Sequence, residues 1–114
     1  MGWCLFTAKT KMKNPDPLEK DIEKRVCDFA KSKNILVYKF TSPQRRSVPD
    51  RMFLLPSGQV FFIEFKRLGL KPTPAQYVEI ERIRKQKVLV FVVDNVEAGK
   101  KVIEDMLGMN AENY

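Results

Sequence analysis

No histidine occurs among the 114 residues. That absence removes Ser-His-Asp and Cys-His catalysis, histidine-metal nucleases, and any imidazole acting as general acid or base. If the chain is an enzyme, carboxylates, lysine and a metal must do the chemistry. Cysteine is scarce too: Cys4 and Cys27 form neither a C-x-x-C pair nor a ligand cluster. They read as reduced thiols in a cytoplasmic setting, one of them in the core. No apolar run approaches 18 residues, so no membrane-spanning segment is expected. Trp3-Cys4-Leu5-Phe6 is too short for a secretory signal, and Phe6 stands where a myristoylation signal needs Ser or Thr. Nothing in the sequence calls for an organic cofactor.

The chain does carry charge. Lys and Arg number 21 against 14 Asp and Glu, a net charge of +7. Such a surplus makes a polyanionic partner plausible, because each neutralised phosphate releases counterions. Many basic proteins are merely soluble, so charge alone decides little. The length and the 44% hydrophobic content suit one compact domain.

Residues 1–15 are basic and irregular and read as an arm; the single folded domain is expected over 16–114. Asp16 resembles an N-cap with Pro17 at the first helical position. Leu18, Ile22, Val26 and Phe29 recur at helical spacing, predicting a helix that ends near Lys33-Asn34. Ile35 to Thr41 alternates as a strand. After a loop from Ser42 to Pro49, Met52 to Leu55 and Val60 to Lys66 read as a hairpin turned by Pro56-Ser57-Gly58-Gln59. Both faces of the second strand are apolar, which predicts an interior position. Thr73, Pro74 and Gln76 have the spacing of a capping box at the start of a helix running to about Lys85. Val88 to Val93 predicts a buried parallel strand. Asp94-Asn95 then caps a last helix with a stripe of Val96, Val102, Ile103, Met106 and Leu107. The order α-β-β-β-α-β-α predicts an α/β fold, a central mixed β-sheet flanked by helices on both faces.

The chemistry concentrates in Pro49-Asp50 and, after thirteen intervening residues, Glu64-Phe65-Lys66. Residues two apart on a strand share a face, so Glu64 and Lys66 project together. A tight turn can bring Asp50 beside Glu64. Two adjacent carboxylates repel unless a cation joins them, and hard oxygen ligands suit Mg²⁺ or Mn²⁺ rather than zinc. Lys66 beside such an ion could position a water, help deprotonate it or stabilise charge on phosphorus. An E-x-K triplet by itself is an ordinary surface pair; at the end of an interior apolar strand, unpartnered charge is expensive.

Two helices add candidates. Gln76 lies in line with Ile80 and Ile83, so it either bonds back to the Thr73 backbone or reaches the acidic site. Glu19 borders the stripe of the first helix and could complete that site. Glu23 reads instead as a solvated residue paired with Lys20, Lys24 or Arg25. Candidate phosphate-binding cations cluster nearby: Lys39, Arg45, Arg46 and Arg51 before or beside Asp50, and Arg67 and Lys71 after Lys66. Arg82, Arg84, Lys85 and Lys87 read as a solvated helix end.

In Leu18-Glu19-Lys20-Asp21-Ile22, Val48-Pro49-Asp50-Arg51, Phe62-Ile63-Glu64-Phe65-Lys66-Arg67 and Pro72-Thr73-Pro74-Ala75-Gln76, the chain resembles the VRR-NUC family. These are the virus-type replication-repair nucleases of the PD-(D/E)xK superfamily. The resemblance spans about residues 16–105 and fits the stand-alone form of phage and bacteria. It implies a restriction-endonuclease-like core, with Glu19, Asp50, Glu64, Lys66 and Gln76 at active-site positions. It also implies a magnesium ion, replaceable by manganese, held by Asp50, Glu64 and the backbone carbonyl of Phe65. Members of this form resemble Holliday-junction resolvases and dimerise to cut four-way DNA junctions, which implies a homodimer working in the cytoplasm of a bacterium or phage-infected host. The family often has glycine two residues before Pro-Asp, where this chain has Ser47.

Three readings follow: a dimeric junction-resolving endonuclease, a nuclease of the same chemistry acting on flaps, nicked or linear duplex, and a non-catalytic DNA-binding module. The intact Asp50, Glu64 and Lys66 speak against the third, since binding alone gains nothing from acids facing phosphate.

Overall fold

A computed structural model describes residues 18–112. The predicted arm at 1–15, Asp16 and Pro17 lie outside the described residues. The elements follow the predicted order: α1 (Glu19–Ser32), β1 (Leu36–Lys39), β2 (Arg51–Leu54), β3 (Val60–Phe65), α2 (Pro74–Arg84), β4 (Leu89–Val93) and α3 (Val96–Glu112).

Helix α1 starts later than the Asp16-Pro17 pattern predicts. Leu18 is extended, with φ −72° and ψ 156°, and forms the N-cap without a side-chain hydrogen bond. Its carbonyl accepts from the N–H groups of Asp21 and Ile22. Leu18 also leaves the predicted stripe: it is exposed, while Ile22, Val26, Cys27 and Ala30 are buried. Among the described residues Cys27 is the core cysteine, and burial pushes its thiol up to about 11. Such a thiol stays protonated and inert.

The four strands lie in the order β1-β2-β3-β4. β1, β2 and β3 pair antiparallel. β4 pairs parallel to β3, with α2 in the connection between them. The β2–β3 turn closes as predicted, with Gly58 at φ +95° donating to the carbonyl of Leu55 at 2.8 Å. Only a residue tolerating positive φ completes such a turn cheaply.

β3 is an interior strand, as predicted, buried from Phe61 through Phe65. Because side chains alternate, it serves two cores. Phe61, Ile63 and Phe65 pack with Phe53, Val93 and the buried stripes of α1 and α3. Phe62 packs on the other face with Val90 and Ile80 of α2, flanked by Phe40, Met52 and Ile83. Helices thus cover both faces, as predicted.

The expectation of a buried β4 needs correction. Val90 and Val93 are buried, but Leu89 and Val92 are each 38% exposed. β4 is the edge of the described sheet, and its two exposed side chains, three residues apart, lie on opposite faces of it. Asn95 caps α3 as predicted, its Oδ1 accepting from the N–H of Ala98 at 2.8 Å. Gly99, early in α3, is where this helix meets α1: a Cβ there would stand 2.3 Å from Val26 Cγ2.

Candidate active site

The site forms where β2 enters the sheet and β3 leaves its most buried stretch. The last β2–β3 pair is Arg51↔Ile63, which places Asp50 one position beyond it, level with Glu64. The Asp50 backbone carbonyl accepts from the N–H of Phe40 at 2.9 Å. Its Oδ2 accepts from the N–H of Phe65 at 2.8 Å. Here a side-chain carboxylate takes the place of a strand carbonyl and ends the ladder. The N–H of Lys66 is held from the other side by the carbonyl of Val93, also at 2.9 Å.

The approach to Asp50 runs through Ser47, which has φ +65°. This is the left-handed region that glycine enters freely and other residues enter at a cost of roughly 1 kcal/mol or more. The loop thus adopts, with serine, a conformation that glycine favours.

Glu64 is 2% exposed. Its Oε2 accepts from Gln76 Nε2 at 2.9 Å and lies 3.6 Å from Lys66 Nζ. Glu64 and Lys66 thus project together, as the spacing predicts. The other oxygen, Oε1, is buried with no hydrogen-bond partner. Gln76 fulfils both predicted alternatives at once: its Oε1 accepts from the N–H of Thr73 at 2.9 Å, and Thr73 Oγ1 accepts from the N–H of Gln76 at 3.2 Å. The capping box fixes one end of the amide, and the other end reaches Glu64.

The electrostatics are those of crowded acids. Burial, and then the negative charge of Asp50, push Glu64 up to about 7; Lys66 acts in the opposite direction. Burial also raises Asp50, against the hydrogen bond from Phe65, and Glu23 raises it further. Glu19 is half-buried and raised by burial, with Asp50 adding to the shift and Lys66 opposing it. Glu19 therefore feels the same charges as the pair at its centre.

Glu23 departs from its expected pairing. Its Oε2 accepts from Arg51 Nε of β2 at 2.5 Å instead of serving a helix neighbour. The register explains this: Arg51 pairs with Ile63 and shares the sheet face covered by α1. Lys39 pairs with Arg51 in the β1–β2 ladder, and both line a groove along α1, away from the face where α2 carries Gln76. Arg45 lies on the α2 side, where Nε and Nη2 contact Glu79 Oε2 at 2.9 and 2.8 Å. Arg46 and Lys71 are exposed, and Arg67 is half-buried directly after Lys66.

Glu79 went unrecognised in the sequence. It stands three residues after Gln76, one step along the same inward-turning side of α2, and that polar i,i+3 pair was its available signal. Asp94, predicted as part of the α3 cap, has a second role. Its Oδ2 also accepts from the N–H of Gly69 at 2.9 Å, tying down the loop after Lys66.

Among the described residues, no three Asp, Glu or Cys side chains converge as a ready-made metal cluster. The chemistry of the two central acids nevertheless fits a hard divalent cation. Glu64 holds a buried oxygen without a donor, beside a second carboxylate that disfavours its ionisation. A cation supplies the charge that both lack.

No family sequence model matches the chain. Over 77 residues it is 42% identical to a protein named "Putative nuclease p44" of Acyrthosiphon pisum secondary endosymbiont phage 1, covering 68% of this chain and 83% of that protein. A solved structure described as "VRR_NUC domain" superposes with a TM-score of 0.71 at 34% identity, covering 75% of this chain and 94% of the other. With the mixed sheet and flanking helices in common, the chain belongs to the VRR-NUC family.

Proposed function

We propose that the protein is a divalent-metal-dependent DNA endonuclease that hydrolyses phosphodiester bonds at branched structures, acting on four-way junctions as a homodimer. The observation that carries the hydrolytic reading is the buried, unpartnered Oε1 of Glu64 beside Asp50 and Lys66. Burying such an oxygen without a donor costs free energy that packing alone does not require, and a catalytic ion gives it a use.

In this reading Asp50, Glu64 and the Phe65 carbonyl would hold Mg²⁺ or Mn²⁺, which would supply Lewis-acid polarisation of the phosphodiester and activation of the attacking water. Each acid commits one oxygen to the fold: Oδ2 of Asp50 to the Phe65 N–H, Oε2 of Glu64 to Gln76. That leaves Oδ1 of Asp50 and the unpartnered Oε1 of Glu64 as the oxygens that would serve as ligands. The Lys66 ammonium sits on the Oε2 side of Glu64, where it can orient a water by hydrogen bonding and stabilise the charge building on a phosphate oxygen. Gln76 holds the Glu64 carboxylate in one orientation and acts as a positioning residue. Glu19 adds negative charge at the edge of the same field.

The net charge of +7 suits a DNA partner. Junction selectivity rests on the family likeness, and a two-fold dimer would present two identical sites to a roughly symmetric junction. The deciding experiment compares cleavage of a labelled four-way junction with that of matched linear duplex, in Mg²⁺ and in chelator. Paired, metal-dependent nicks confined to the junction are expected. Equal cutting of the duplex would remove the junction assignment, and binding without cutting under any divalent ion would remove the enzyme. Asp50→Asn is expected to abolish cutting while preserving or tightening binding, because it removes a charge that repels the backbone.

A further inference from the structure

Beside the acidic site, between the loop preceding Pro49 and the second half of α2, lies an open pocket of about 580 Å³. Phe40, Val48 and Ile83 form apolar walls, and Arg45, Arg82 and Lys85 bring three cations to it. One carboxylate, Glu79, lies among them, buried and ion-paired to Arg45 and, at 3.7 Å, to Arg82. Glu79 thereby fixes the Arg45 guanidinium in place, and the pocket keeps an excess of positive charge.

Its position relative to Glu64 follows from the sheet. The ring of Phe40 packs on Phe62 with centroids 4.9 Å apart. Phe62 precedes Glu64 by two residues on the same face of β3, about 7 Å along the strand. The pocket wall at Phe40 thus lies on the same, α2-covered side of the sheet as Glu64, with Phe62 between them. The pocket is also tied to the site covalently and by hydrogen bonding, since Val48 is two residues from Asp50 and the Phe40 N–H donates to the Asp50 carbonyl.

We infer that this pocket receives one unpaired nucleotide of the bound strand, next to the phosphodiester presented to Glu64. Aromatic and aliphatic walls beneath a cationic rim match the flat apolar face of a base joined to a phosphate. A base inside a continuous duplex must be unstacked and unpaired before it enters a concavity, a cost that is smallest where pairing is already broken, so the pocket favours DNA with an unpaired nucleotide at the cut. This deepens, and rests on, the DNA-cutting reading above.

The test begins by mapping the cut with Mg²⁺ on a branched substrate. 2-Aminopurine is then placed singly at the positions flanking the scissile phosphate, and its fluorescence is read on binding in chelator. Wild type is expected to raise the signal roughly twofold or more at one flanking position, as the base leaves its stack. Arg82→Glu, which repels the phosphate, and Gln86→Trp, which fills the pocket from its exposed rim, are each expected to abolish that rise. A wild type that cuts but gives no rise at any flanking position overturns the pocket and leaves the nuclease standing. So does a rise that survives both substitutions. Absence of metal-dependent cutting on every DNA tried removes the nuclease reading, and the pocket assignment falls with it.

Discussion

Gln76 Nε2 donates to Glu64 Oε2 at 2.9 Å while the same amide, through Oε1, accepts from the first free N–H of its own helix. One side chain therefore ties the start of α2 to the central acid of the site. The geometry of Glu64 depends on a helix cap.

The two functions of Gln76 are separable. Gln76→Ala loses both bonds and is expected to lower stability by about 1–2 kcal/mol together with activity. Gln76→Glu keeps an acceptor for the Thr73 N–H but replaces the donor facing Glu64 with a second acceptor. Its cleavage rate is expected to fall roughly 10–100-fold while its thermal unfolding stays closer to wild type than that of the alanine variant. Cutting by Gln76→Glu at the wild-type rate would remove Gln76 from the positioning of Glu64.

Glu64 makes stability depend on pH in a stated direction. Its carboxyl titrates near 7 in the folded chain against an ordinary 4.5. Between these values the folded state binds a proton that the unfolded state does not. The contribution of this group is complete below the unfolded value and lost as pH rises through about 7. Glu64→Gln carries no such penalty. In chelator, its stability relative to wild type is expected to grow between pH 4 and pH 8 by on the order of 3 kcal/mol, at 1.36 kcal/mol per unit. Denaturant unfolding at several pH values measures this, and a constant difference across the range would show that Glu64 titrates normally. By the same linkage, stabilisation by added Mg²⁺ is expected to be larger at pH 8 than at pH 5.5, because cation and proton compete for one carboxylate.

At Ser47 the backbone is left-handed, at φ +65°. Ser47→Gly relieves the clash between side chain and carbonyl and is expected to raise stability by about 0.5–1 kcal/mol, with cleavage retained. Ser47→Val, β-branched at positive φ, is expected to destabilise by roughly 1–2 kcal/mol and to slow cutting by displacing the Asp50 turn. Equal stability of the two variants would show that this loop does not hold its conformation in solution.

Much of this arrangement was legible from residue spacing. The period-two run from Val60 to Lys66 announced an interior strand ending in a paired acid and lysine, and the Thr73-Gln76 interval announced a cap. What remained hidden depended on tertiary partners. Glu23 finds Arg51 only because β2 lies against α1, and Arg45 finds Glu79 only because the loop before Pro49 folds onto α2. The exposure of Leu89 and Val92 stayed hidden because an apolar run does not reveal which of its side chains the packing helices reach. The start of α1 was misplaced because Leu18 is extended.

The close approach of α3 to α1 at Gly99 gives a packing test remote from the site. Alanine improves helix propensity by roughly 1 kcal/mol over glycine, yet its methyl group would stand 2.3 Å from Val26 Cγ2. Since both Val26 atoms and backbone are confined in the core, overpacking is expected to prevail, with Gly99→Ala net destabilising by about 1–2 kcal/mol in denaturant unfolding. A stabilised variant would mean that the two helices separate easily.

The bond from the Phe65 amide to the Asp50 carboxylate, in the place where a strand would offer a carbonyl, has a spectroscopic consequence. An amide proton held by a titrating group reports the charge on that group. In a two-dimensional nitrogen–proton spectrum the Phe65 resonance should move as Asp50 gains a proton, and again as a divalent ion is added. The backbone thus carries a natural, label-sized probe one bond away from the proposed chemistry, readable without substrate and without cleavage.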